Sequence, residues 1–64
     1  MPMIRVELLE GRTLEQKRQF ADAITRESVR ILACDPGDVE IIFIPVSKES
    51  WAVGGRLLSD PAPE

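Results

Sequence analysis

The 64-residue sequence has no histidine and no tyrosine, and only one cysteine and one tryptophan. Without histidine there is no imidazole to act as a general base or metal ligand. A single cysteine, Cys34, excludes an intrachain disulfide, and nothing beside it would activate a thiolate, so it reads as a small residue near a helix end. A basic run is also missing: eight Lys and Arg are interspersed among eleven Asp and Glu for a formal charge of -3, which argues against nucleic acid as a partner. No apolar run is long enough to span a bilayer, and the start lacks the basic-then-apolar layout of a signal peptide. The expectation is a soluble cytoplasmic protein with no membrane partner.

Two further absences narrow the chemistry. The serines have no partnered base, so a hydroxyl nucleophile is unsupported. Gly54 and Gly55 do not follow a strand and open a helix, so a phosphate-cradling loop is unsupported as well. Size adds its own limit. A chain this short buries only about 60% of the surface its unfolded form exposes, and small domains compensate with disulfides, metals or partners. With the first two removed, self-association remains, and a single domain over residues 1–64 that forms an oligomer is expected.

What is present is strongly patterned. Residues 2–9, "PMIRVELL", alternate Pro2, Ile4, Val6 and Leu8 with Met3, Arg5, Glu7 and Leu9, the period of a strand. Gly11 breaks the pattern, and Thr13 with Gln16 three residues on has the spacing of a capping box. The helix is expected from about Thr13 to Ala33, with Leu14, Phe20, Ala21, Ile24, Ile31 and Leu32 on one side and Lys17 and Ser28 as polar members of that stripe. Glu15, Arg18, Gln19, Asp22, Arg26 and Arg30 form a solvated opposite face. Asp35, Pro36 and Gly37 end the helix.

Residues 39–46, "VEIIFIPV", form a β-branched run suited to a strand covered on both faces, with Glu40 its only charge. Strand, long helix and strand make a βαβ unit with parallel strands and a right-handed crossover. One helix cannot cover both faces of the sheet, so the uncovered face is expected to meet other copies. "SKESWAVGGRLL" reads as a loop and small hairpin, and "SDPAPE" as a poorly ordered tail with little to bury.

Pro2 carries the remaining chemistry. Once Met1 is trimmed, as cells commonly do before a small second residue, Pro2 presents a free secondary amine. An α-amino group has a pKa of about 7.7–8.0, and apolar surroundings or a nearby guanidinium lower it towards working pH, where a general base is most useful. On its immediate neighbours alone, Pro2 reads more simply as the first residue of an edge strand.

The opening read whole, "PMIRVELLEGRTLEQK", resembles the start of the 4-oxalocrotonate tautomerase family, and the likeness continues through the helix, "VEIIFIPV" and "WAVGG". The resemblance implies an α+β fold: a β-α-β subunit with two parallel strands, one long helix and a short C-terminal hairpin. It also implies a dimer with a four-stranded sheet, and three such dimers in a homohexamer. The implied activity is that of an isomerase needing no cofactor, in which Pro2 shuttles a proton between the enol and keto forms of a small unsaturated 2-oxo or 2-hydroxy acid. Arg12 falls at the family's carboxylate-binding position, Trp51 at an aromatic wall beside the proline, and Leu9 and Val53 at apolar positions of the same pocket. Glu40 stands where the family has a second arginine. An ionised carboxylate there repels a developing oxyanion instead of stabilising it.

Three readings are open for Glu40: it pairs with Arg5 within or between subunits, Arg5 or another subunit's arginine supplies the positive charge missing at its position, or it activates water beside Pro2 as in a hydratase or dehalogenase-like lyase. A non-catalytic subunit of a mixed hexamer is a further alternative.

Overall fold

Alternation at the start of the chain produces strand β1, Met3–Leu9, and the β-branched run produces β2, Glu40–Val46. The computed structural model describes residues 1–62, so Pro63 and Glu64, the end of the tail expected to be poorly ordered, lie outside the described residues. β1 and β2 pair in parallel, with Ile4 opposite Ile41, Val6 opposite Phe43 and Leu8 opposite Pro45. Side chains alternate across a strand, so these six share one face. Met3, Arg5, Glu7, Leu9, Glu40, Ile42, Ile44 and Val46 share the other.

Helix α1, Leu14–Leu32, connects the strands. Its start is fixed reciprocally: the Gln16 N–H donates to Thr13 Oγ1 at 3.1 Å, and the Thr13 N–H donates to Gln16 Oε1 at 2.9 Å. Just upstream, Gly11 adopts φ 113°, a conformation that side chains resist, and this turns β1 into the cap and carries Arg12 across the strand end. The helix ends at Ala33, held at φ 55° in the left-handed region with its N–H donating to Val29 O. Exposed pairs on the outer face, Glu15–Arg18, Asp22–Arg26 and Glu27–Arg30, add only a few tenths of a kcal/mol each.

Half-burial on α1 falls at Lys17, Ala21, Ile24, Thr25, Ser28 and Val29. The expected stripe is therefore only partly covered: Leu14, Ile31 and Leu32 remain 64%, 65% and 56% exposed. Geometry explains the shortfall. Nineteen helical residues span about 28 Å, whereas a seven-residue strand spans about 23 Å and two strands make a ribbon about 5 Å between axes. Phe20 bridges the layers through an edge-to-face contact with Phe43, ring centroids 5.9 Å apart.

Beyond β2, a two-residue turn joins β3, Ala52–Val53, to β4, Arg56–Leu57, in an antiparallel hairpin. Gly54 and Gly55 take φ 61° and 84°, the paired positive values that such a tight turn demands. The tail differs from its expectation as far as Pro61. Asp60 accepts from the Leu57 N–H through Oδ2 and donates its own N–H to Leu57 O, and Arg56 donates to Pro61 O. Backbone and carboxylate bonds, which need no apolar burial, hold this segment.

Among the described residues none is fully buried. The accessible surface is 5151 Å², against about 4,100 Å² for a folded monomer of this mass. The radius of gyration is 15.6 Å, against about 11 Å for a compact chain of this length. The excess area is about the size of one partner's share of a stable interface, and the uncovered sheet face, with Met3 46% and Ile42 45% exposed, supplies part of it.

Candidate functional site

The parallel register sorts the sequence-derived site residues into two groups. At the head of the strands, the Glu40 N–H donates to Pro2 O at 3.0 Å, so the two residues are backbone neighbours. Pro2 is half-buried and shares the parity of Ile4, Val6 and Leu8, the helix-facing side, whereas Glu40 sits opposite Met3 on the uncovered side. Arg5 lies opposite Ile42, and the ion pairs among the described residues are all on α1. The expected Arg5–Glu40 pair is thus not formed within the subunit, which leaves pairing between subunits.

At the tail of the strands stand Leu9, opposite Val46, and Arg12, Trp51 and Val53. The seven residues of β1 lie between Pro2 and Arg12, about 23 Å of extended chain. One chain therefore cannot bring Pro2 to Arg12. Arg12 is exposed and lines an open cavity of about 350 Å³ between α1 and the sheet, within the range of small-molecule sites. Val6, Leu8, Phe20 and Phe43 form its apolar walls, and Arg12, Gln16 and Lys17 bring polar groups to it.

Trp51 lies elsewhere. It is half-buried beside Glu7, Val46 and Ser50 in a second hollow of about 280 Å³, whose β1 and β2 residues belong to the uncovered face. Its carbonyl accepts from the Leu58 N–H at 2.9 Å, which extends the hairpin ladder by one step beyond β3 and β4. Val53, 63% exposed, projects with β3. Arg12 and Trp51 thus share a strand end but not a sheet face.

In the sequence pattern Lys17 is a polar member of the apolar stripe and Gln16 a capping residue. The structure brings both to the cavity with Arg12. The available signal was a lysine at an apolar helical position one turn from an arginine. Cys34, half-buried with Sγ 3.7 Å from Ser28 O, stays at the helix end as expected.

Comparison with known proteins agrees with this architecture. Residues 2–61 match the family described as Tautomerase enzyme. The 2-hydroxymuconate tautomerase of Bacillus subtilis is 33% identical over 60 residues, covering 94% of this chain and 97% of the relative. Among solved structures, a 4-oxalocrotonate tautomerase isozyme of Methylibium petroleiphilum superposes with a TM-score of 0.87 at 41% identity, covering 91% of each chain. A heterohexameric 4-oxalocrotonate tautomerase from Chloroflexus aurantiacus gives 0.86 at 30% identity, covering 94% and 97%. With the β-α-β order, the terminal hairpin and a family match across nearly the whole length, the chain belongs to the tautomerase family, within the 4-oxalocrotonate tautomerase group.

Proposed function

We propose that this protein interconverts the enol and keto forms of a small unsaturated 2-oxo or 2-hydroxy acid, with the amino-terminal Pro2 as base and then acid after Met1 is removed. The observation that carries this reading is the position of Pro2 and the Arg12 cavity at opposite ends of one edge strand, on the same face of the sheet. β1 pairs with β2 along one edge and offers the other to a second copy. Antiparallel pairing of two β1 strands about a two-fold axis normal to the sheet sets the head of each beside the tail of the other and keeps both helices on one side. Pro2 of one copy then reaches the mouth of its neighbour's cavity.

In such a site Arg12 holds the substrate carboxylate through its planar fork. Leu8 and the phenylalanine wall exclude water from the neighbouring amine, which favours its neutral form, whereas Leu9 faces the other side of the sheet. The amine takes the proton from the 2-hydroxyl and returns it to carbon, and no external oxidant or reductant is needed. Trp51 and Val53, on the hairpin and away from this face, reach the site only from a further copy. That requirement accords with a trimer of dimers. Met1 is 80% exposed in the subunit, so the subunit itself does not shield it from trimming.

A hydratase reading rests on Glu40, a backbone neighbour of Pro2 at the strand head whose side chain lies on the uncovered face. A mixed assembly is the other alternative, supported by the heterohexameric neighbour. Ketonisation of a 2-hydroxydienoate separates them. The wild-type protein, its mass short by one methionine, is expected to catalyse it, and Pro2→Ala to lose about 10²–10⁴-fold. Equal rates in the two proteins would sink the proposal, and a Glu40→Gln variant that loses hydration alone would favour the hydratase.

A further inference from the structure

We propose that Lys17 is a second carboxylate-binding residue, acting with Arg12 to make the cavity a receptor for a monocarboxylic acid with an apolar, unsaturated body. The proposal rests on the reading above and deepens it.

Lys17 occupies a place on α1 where the helical period calls for an apolar side chain, and it is half-buried instead of extended into solvent. The carboxylates of the helix are engaged elsewhere, with Arg18, Arg26 and Arg30. Among the described residues neither Lys17 nor Arg12 forms an ion pair. Two cationic residues thus line one cavity whose walls are Phe20, Phe43, Val6 and Leu8. A carboxylate bound in the cavity gains charge-assisted hydrogen bonds from both.

The rest of the ligand follows from its surroundings. A planar unsaturated chain fits against the two phenylalanines, whose edge-to-face arrangement leaves ring surface towards the cavity. Its far end points to the neighbour's Pro2, at a strand head whose nearest acid is Glu40, a backbone neighbour of Pro2 with its side chain on the other sheet face. A second carboxylate there would be repelled, so one acid group is favoured over two.

A lysine in an apolar stripe can also serve by covering carbon with its stem. Lys17→Met keeps that cover and removes the charge, and Lys17→Arg keeps the charge. With a 2-hydroxydienoate, Lys17→Met is expected to raise KM about tenfold with kcat changed less than about twofold, and Lys17→Arg to restore KM. In a Pro2→Ala background, calorimetric titration with sorbate should show about tenfold weaker binding when Lys17→Met is added, while the uncharged sorbamide should show no difference.

A loss of kcat at unchanged KM, an equal effect on sorbate and sorbamide, a failure of arginine to restore KM, or no sorbate binding at all would overturn the assignment. Lys17-dependent sorbate binding by a wild-type protein that ketonises nothing would uphold the carboxylate site and remove the activity reading, so the two fail separately.

Discussion

The two ends of the β1–β2 ladder are built on different principles. At the Arg12 end the chain is locally over-determined: Gly11 sets the turn, Thr13 and Gln16 close a reciprocal cap, and Lys17 joins Arg12 at a cavity walled by apolar rings. At the Pro2 end the helix stops on Ala33 in a strained left-handed conformation, and Asp35, Asp38 and Glu40 crowd the turn that feeds β2. One end is preorganised and cationic, the other looser and acidic. On the proposed reading the contrast means that a subunit carries half of a site at each end, the two halves being completed when a head meets a tail.

Subunit mixing is the strongest way to break that comparison. Pro2→Ala and Arg12→Ala homo-oligomers are each expected to lose about 10²-fold or more in kcat/KM, since one lacks the base and the other the carboxylate grip. Unfolded together and refolded as a mixture, they should regain activity: some interfaces pair an intact Pro2 with an intact Arg12. A mixture no more active than its components would place both residues' function within one chain, against the 23 Å of strand that separates them.

A smaller effect tests the acidic end. Glu40→Arg replaces negative charge beside Pro2 with a donor for the developing oxyanion and for a second substrate carboxylate. The expectation is a gain of about tenfold in kcat/KM on 2-hydroxymuconate with little change on a monocarboxylic dienol, read by steady-state kinetics on both. If both substrates respond alike, Glu40 does not discriminate by charge. The same comparison at low and high salt should show the diacid effect shrinking as ionic strength rises.

Much of this organisation is legible in the sequence because it is encoded over a few residues. The capping box needs only Thr13 and Gln16, the hairpin only its glycine pair, and strand alternation only eight positions, so the observed bounds fall within one residue of those read from pattern. The family likeness adds the expectation that Pro2 and Arg12 carry the site. What pattern could not supply is set by packing between elements. Whether Leu14, Ile31 and Leu32 are covered depends on the width of the sheet beneath them, and a two-stranded ribbon is too narrow. The separation of Arg12 from Trp51 onto opposite faces depends on strand register and on where the hairpin turns back. Lys17 looked like a flaw in a stripe because helical periodicity records which side a residue faces and not what opens there.

The finest test compares the two caps of α1. Thr13→Ala removes the acceptor for the Gln16 N–H and loosens the turn that carries Arg12, at a cost of about 1 kcal/mol. Ala33→Gly acts at the other end with the opposite sign. It relieves a left-handed strain of about 1 kcal/mol, less the entropy that glycine adds to the unfolded chain, for a net gain below 1 kcal/mol. Thermal unfolding at matched protein concentration reads both, since assembly makes the midpoint depend on concentration and about 1 kcal/mol moves a chain of this size by about 4–8 °C. Their kinetic signatures should part as well. Thr13→Ala is expected to raise KM along with its loss of stability, because the cap and the carboxylate grip are adjacent. Ala33→Gly should leave KM alone, because the strained end positions no group of the cavity. Equal KM shifts in both would mean that the ends communicate through the helix, and that the division into a built half and a loose half is not a division in function.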